Sequence, residues 1–311
     1  MAMSSAAAET AVVTSSAASA ATWRDAVADY TSLTKPRIIE LLLVTTVPAM
    51  FVAARGWPGT GLLVATLAGG ALVSGSAHAF NMVIDRDIDG MMARTRNRPM
   101  PSGRISVQSA LQFATVLLVL GTTILAAFAG MLATALTVVA WAWYVVIYTL
   151  LLKRRTPQNI VIGGVAGALP PMIGWAAVTG SIAMPAVIMF AVVVLWTPTH
   201  FWALAIGTGQ DYANANVPML PVLRGAHAAG RQAAVYAALT VAASFTLLAA
   251  GLSSPIFAVL LVLFGTVFVG YALLFARSIS CKRAWVLFHL SNGYLALVFA
   301  AIAAVGLLHE W

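Results

Sequence analysis

Charge is scarce in this chain. Asp, Glu, Lys and Arg together make up 8% of its 311 residues, and only nine residues are carboxylates. A soluble domain carries about a quarter charged residues, so an ordinary water-facing surface is excluded. Cysteine is scarcer still: Cys281 stands alone. That rules out an intrachain disulfide, a thiolate zinc site and a Cys-x-x-Cys redox pair. Nothing in the chain suggests a Ser-His-Asp or Cys-His nucleophilic set, so covalent catalysis by a side chain is not expected.

Hydrocarbon is abundant instead. The chain is 61% apolar with a mean hydropathy of +0.93. Runs of about twenty apolar residues match a bilayer core of roughly 30 Å. They are expected at 38–54, 61–80, 106–129, 131–152, 158–179, 184–206, 231–250, 254–276 and 285–307. The expected architecture is therefore all-α, a polytopic membrane protein of nine transmembrane helices.

Charge placement supports this count independently, because cytoplasmic loops collect Lys and Arg. With the N-terminus in the cytoplasm, sixteen of the seventeen basic residues fall inside and only Arg55 falls outside. Glu310 and Trp311 then face outward, and a bacterial inner membrane is the expected location. The same rule, with attraction to anionic lipid, accounts for the net charge of +8 and removes nucleic acid as a partner. Residues 1–28 are rich in Ala, Ser and Thr. Glu9 precedes the first arginine, Arg24, and no dense apolar core follows, so neither a secretory nor an organellar leader fits. They read as a disordered cytoplasmic tail before one domain spanning 29–311.

Two cytoplasmic loops are long, after the second and the sixth span. Each contains acid, base and a Pro-Met element: Pro99-Met100-Pro101 in one, Pro218-Met219-Leu220-Pro221 in the other. This echo is consistent with two four-helix repeats, about 38–152 and 158–276, whose loops face one another across a central cavity.

The first long loop holds the most informative residues. Asn81, Asp85 and Asp89 fall at i, i+4 and i+8, so on a helix they point from one face along roughly 12 Å. A row of oxygen ligands suits Mg2+, which takes one or two carboxylates and substrate phosphate oxygens. A solvated helix end with local ion pairs is the simpler alternative. Arg94 and Arg98 either orient the chain or bind phosphate bidentately, and Lys153, following Tyr148, is a similar candidate. Asp211 is the only carboxylate between Asp89 and Glu310, either a helix cap or a further metal ligand.

Among His78, His200, His227, His289 and His309, the second stands out. Pro198 precedes it and Phe201-Trp202 follow, offering a flat apolar wall beside an imidazole that is able to ligate haem iron. His78 lies three residues before Asn81 and reads as tuning that site. Gly163 and Gly167 have the spacing of a close helix contact, Pro170-Pro171 breaks the fifth span, and Glu40 has no evident role.

These residues resemble those of the UbiA-type intramembrane prenyltransferases, whose first motif reads Asn-x-x-x-Asp-x-x-x-Asp. The likeness runs from Tyr30 through the ninth span, including Leu33-Thr34-Lys35-Pro36-Arg37, Asn81 to Arg104, Thr156-Pro157-Gln158-Asn159 through Gly164, Thr197 to Leu204, and Asp211-Tyr212 through Arg224. Thr-Pro-Gln-Asn and His200-Phe201-Trp202-Ala203-Leu204 are similar to its haem-modifying branch. The resemblance implies nine helices around a central cavity and Mg2+ held by Asn81, Asp85 and Asp89; the loop echo adds Asp211 as a further metal ligand. The resemblance implies diphosphate contact by the basic residues of the first loop, Arg94 and Arg98; beside them the residues themselves offer Lys153 and Tyr148 to diphosphate, His200 to haem iron, and Lys35 and Arg37 to haem propionates. It also implies farnesyl transfer from farnesyl diphosphate to the vinyl group of haem b, in membrane lipid, with a haem A synthase downstream in haem supply to terminal oxidases. A quinone-precursor or chlorin acceptor, and more remotely a transporter, are the alternatives. One departure stands out: Ala215 occupies the fourth position after Asp211, so a second Asp-x-x-x-Asp is incomplete.

Overall fold

In the computed structural model, residues 22–209 and 211–308 are described. Most of the expected tail, 1–21, and the terminal His309, Glu310 and Trp311 lie outside them. Thirteen helices follow one another: α1 (Trp23–Thr34), α2 (Pro36–Ala54), α3 (Thr60–Ile84), α4 (Arg86–Met91), α5 (Val107–Phe128), α6 (Met131–Leu152), α7 (Asn159–Ala168), α8 (Pro170–Thr179), α9 (Met184–Gly207), α10 (Asp211–Asn214), α11 (Leu220–Ala249), α12 (Pro255–Arg277) and α13 (Cys281–Leu308). With α7 and α8 counted as one span, nine helical segments among the described residues are long and apolar enough to cross a membrane.

Six spans close into a ring: α2 touches α3, α3 touches α6, α6 touches α7, α7 touches α9, α9 touches α13, and α13 returns to α2. The ring encloses a cavity of about 500 Å³. The other three spans buttress it from outside, α5 against α3, α11 against α9, and α12 against α11 and α13. In lipid, apolar side chains gain little by leaving the bilayer, so helices associate through close packing. Glycines permit it here. A Cβ on Gly121 would sit 2.8 Å from the Gly69 carbonyl oxygen, between α5 and α3, and one on Gly306 would sit 2.7 Å from the Val52 nitrogen, between α13 and α2.

The structure corrects the sequence reading at several points. Residues 23–28, expected in the tail, belong to α1, which opens on a capping box between Thr22 and Asp25. Leu33 anchors this helix in a cluster with Ala79, Met82 and Val83, and Asp29 pairs with Arg104 at 2.9 Å. The seventh span begins at Leu220, eleven residues before the expected 231, because its first turns carry Arg224, His227 and Arg231 and fail an apolar-run criterion. It is not one straight helix: Gly225 (φ 79°, ψ 161°) is non-helical, so a short first segment turns at a kink into the part that runs on to Ala249. Pro170-Pro171 does break the fifth span, into α7 and α8. Of the expected Gly163–Gly167 contact, only half exists. Gly163 lies under the Tyr148 ring, whereas the second close contact belongs to Gly164 against Thr197, and Gly167 has ordinary spacing to Leu42.

The Gly174 contact tests the ring directly. A Cβ there would lie 2.6 Å from the Thr46 backbone oxygen, which cannot rotate away, so Gly174→Ala must push α8 from α2. We expect a loss of about 1–3 kcal/mol, read as a lower thermal midpoint in detergent. Gly61→Ala, with nothing within 4 Å of its Cβ, should leave the midpoint in place.

Candidate active site

Two helix ends build the polar end of the cavity. At the end of α3, Asp85 leaves helical geometry (φ −90°, ψ 6°), so the Asn81–Asp89 row is not one unbroken helix as expected. Its hydrogen bonds nevertheless continue across the break, Asp85 N donating to Asn81 O at 2.9 Å and Asp89 N to Asp85 O at 2.8 Å. The four-residue register therefore survives. Both carboxylates are buried, Asp85 at 1% and Asp89 at 4% exposed.

The end of α6 is the partner. From Trp143 to Leu152 it is a π-helix, a form rare enough to mark functional sites. Lys153 N donates to Tyr148 O at 2.8 Å and the Thr149 hydroxyl donates to Tyr144 O at 2.8 Å, both five residues back. The wider turn stacks Tyr144 on Tyr148, ring centroids 5.5 Å apart, and carries Lys153 onto the same cavity wall. Lys153 and Tyr148 were expected at the site, but no apolar pattern signals a π-turn, so Tyr144 and the widened helix that sets this wall could not be read from the sequence.

Buried carboxylates require compensating charge. Lys153 donates to Asp85 Oδ2, and Asn81 Nδ2 donates to the same oxygen at 2.7 Å and to Thr149 Oγ1 at 3.1 Å. Lys35 Nζ donates to Asn81 Oδ1 at 2.6 Å, and Arg98 Nη1 to Asp89 Oδ2 at 2.8 Å. Lys35, expected beside haem, is thus at the carboxylate row. It is presented by the α1–α2 junction in a left-handed conformation (φ 52°). Just outside, Arg154 donates to both oxygens of Asp87 at 2.7 Å and to Ile84 O at 3.0 Å. Its guanidinium holds the Asp87 carboxyl down at about 2 and satisfies a terminal carbonyl of α3.

The donor set fits a hard divalent cation. Asn81, Asp85 and Asp89 offer oxygens, and Asp85 Oδ1 is buried without a hydrogen-bond donor, with Arg154 Nη2 3.7 Å away. Asp211 sits on the adjoining loop, its Oδ1 accepting from Ala93 N at 3.3 Å. Among the described residues no three acidic, His or Cys side chains converge, so Asp211 closes no triad with Asp85 and Asp89, and it is not among the residues that line the cavity. Arg94, Arg98, Lys153, Tyr148 and Arg37 all line the cavity. Glu40 is exposed on the first turns of α2, away from it.

Beyond this polar end, the cavity is walled by aromatics and contains two histidines at similar depth, His78 six residues before the end of α3 and His200 seven before the end of α9. His78 is buried edge-on to Tyr144, centroids 5.2 Å apart, with neither ring nitrogen bonded. His200 lies between Trp196 and Phe288, each stacked 4.4 Å away. Its Nδ1 is 2.9 Å from Ser291 Oγ. Ser291 and Asn292, on α13, were not expected from sequence, since a Ser-Asn pair in an apolar run carries no motif.

Lys35 yields a pH dependence. Burial, then the Arg98 and Lys153 cations, bring its ammonium down to about 7 from 10.5. Between those values the unfolded chain binds the proton and the folded one does not, so the Lys35 contribution to stability rises with pH across that window and is least below about 7. Without substrate, the wild-type thermal midpoint should gain on that of Lys35→Met from pH 6.5 to 9.5. Parallel curves would contradict this.

Comparison with known proteins agrees with this geometry. The chain is 51% identical over 290 residues to "Protoheme IX farnesyltransferase 1" of Saccharopolyspora erythraea, covering 91% of this chain and 92% of that one. It is 50% identical over 297 residues to the protoheme IX farnesyltransferase of a Nocardioides species, covering 93% and 94%. In fold it is similar to a solved digeranylgeranylglyceryl phosphate synthase structure, with a TM-score of 0.74 at 18% identity over 91% of this chain and 99% of that one. It is similar also to a UbiA homologue from Archaeoglobus fulgidus bound to GPP and Mg2+, with a TM-score of 0.59 at 17% identity over 88% and 99%. Residues 42–309 match the UbiA prenyltransferase family, and with relatives this similar over nearly its whole length, the chain belongs to that family.

Proposed function

We propose that this membrane enzyme transfers the farnesyl group of farnesyl diphosphate to a vinyl group of haem b, releasing diphosphate and giving haem O. One observation carries the reading: a single cavity is lined at its polar end by Asp89, Arg94, Arg98 and Lys153 and on the α9–α13 wall by His200 between aromatic rings. An anionic leaving group and a flat iron-bearing acceptor can therefore meet inside one enclosure. The names of the relatives in Saccharopolyspora and Nocardioides support the same pair of substrates.

Mg2+ held by Asn81, Asp85 and Asp89, with Asp211 from the adjoining loop, would neutralise charge building on the diphosphate. The chain's own residues do the rest. Lys153, Arg94 and Arg98 donate to phosphate oxygens, Lys35 holds Asn81 in place and joins this cation set, and the Tyr148 hydroxyl is one more donor. Together they favour breaking of the allylic C1–O bond, whose electron pair leaves with the diphosphate. The apolar cavity wall excludes water while C1 bonds to the terminal vinyl carbon. Positive charge then moves to the carbon beside the pyrrole ring, where one water adds and loses a proton. His200 ligates the haem iron, and Arg37 at the cavity rim meets a propionate. The polar end faces the cytoplasm of a bacterial inner membrane, and the product supplies haem A synthase or a haem O oxidase.

Mass spectrometry of haem extracted after incubation with farnesyl or geranylgeranyl diphosphate reads donor and acceptor together. A hydroxyethylfarnesyl product is expected, and recovery of unmodified haem b alone would refute the reaction. Asp85→Ala should lower turnover by at least about a hundredfold while the protein stays inserted and folded, and chelation of Mg2+ should do the same to wild type. In a haem b titration, His200→Ala should lose affinity, and an unchanged absorption spectrum would remove His200 as ligand.

A further inference from the structure

Ser291 sits on α13, is fully buried, and is bonded to both α9 and its own helix. Its hydroxyl has one proton, which it donates to the Phe288 carbonyl at 2.7 Å. Toward His200 Nδ1, 2.9 Å away, the same oxygen is left only as an acceptor. In that arrangement the imidazole carries its proton on Nδ1 and presents Nε2 with a free lone pair. Ring rotation is blocked, since Trp196 covers one face and Phe288 the other, at interplanar angles of 21° and 29°. Trp196 is itself fixed by donation from Nε1 to Ser291 O at 2.7 Å. Among the described residues Nε2 has no hydrogen-bond partner, and His200 lines the cavity.

We infer that Ser291 is a positioning residue for the haem acceptor: it fixes His200 in the Nδ1–H tautomer so that Nε2 is aimed into the cavity as the iron ligand. This rests on the haem reading of His200. A bond from the second ring nitrogen to a fixed acceptor is what orients and strengthens an imidazole ligand, and its loss commonly lowers metal affinity ten- to a hundredfold. Trp196 and Phe288 hold the plane of the ring, and Ser291 sets which nitrogen is free. The sandwich also explains why His78, at similar depth but with both nitrogens unbonded, is not equivalent: no hydrogen bond selects its tautomer.

The test is a titration of the detergent-solubilised full chain with haem b, followed by absorption and resonance Raman spectroscopy. Ser291→Ala should weaken haem binding about ten- to a hundredfold and lower the frequency of the iron–histidine vibration in the ferrous complex. Ser291→Thr, which keeps the hydroxyl, should restore most of both. Farnesyl diphosphate binding with Mg2+ should be unchanged in Ser291→Ala and the thermal midpoint should fall by only a few degrees, because the Trp196 bond goes to the backbone oxygen; a collapse of both would mark a merely structural role and overturn the inference. Wild-type haem affinity and spectrum in Ser291→Ala, with both lost in His200→Ala, overturns the Ser291 role and leaves the haem reading standing. Absence of saturable haem binding by the wild-type chain overturns both.

Discussion

Two carboxylates, Asp85 and Asp89, are buried where a membrane protein's water supply ends. Ionised groups in such a place are tolerated only when paired or bound to a cation, and the polar end of the molecule is arranged around that requirement. Lys153 from the end of α6 pairs with Asp85 and Arg98 from the loop after α4 pairs with Asp89, while Lys35, from the junction of α1 and α2, holds Asn81 beside them. Each cation belongs to a different segment, so the carboxylates are compensated only when those segments have converged. The same cations, freed from the carboxylates by a metal, are the groups a diphosphate needs, which links the folding constraint to the chemistry.

The rest of the ring serves to hold that convergence open on one side. Gly163 lets Tyr148 lie against α7, and the π-turns of α6 place Tyr144, Tyr148 and Lys153 on one wall. On the opposite side, α9 and α13 are joined by hydrogen bonds between Trp196, His200 and Ser291, which spend the polar groups of these spans on each other and leave the aromatic faces to the cavity. A hydrophobic tail and a flat macrocycle are accommodated by such walls through contact area alone.

Much of this was legible beforehand. The spans from α2 to α9 were expected to within a few residues, because a bilayer imposes length and apolarity on each, and the sixteen-to-one division of basic residues supported the count. Asn81, Asp85 and Asp89 were legible because four-residue spacing of oxygen ligands is unusual in so apolar a chain. The start of α11 was misplaced because helices that protrude into water lose the apolar signal while keeping their backbone bonds. Helix α1 was missed for the same reason: its twelve residues are held by a cap and by Leu33, not by hydropathy.

The sequence by itself determined a nine-span helical membrane protein with one oxygen-rich site, because backbone polar groups in lipid leave no alternative to helices and because an acidic row cannot be hidden among hydrocarbon. Only the tertiary structure decided which cations meet those acids, that Lys35 sits at the carboxylate row, that Asp211 closes no triad with the pair, and that Ser291 meets Nδ1 of His200. Those facts depend on distances between segments far apart in the chain, and hydrogen-bond partners across a cavity leave no periodic trace in either segment.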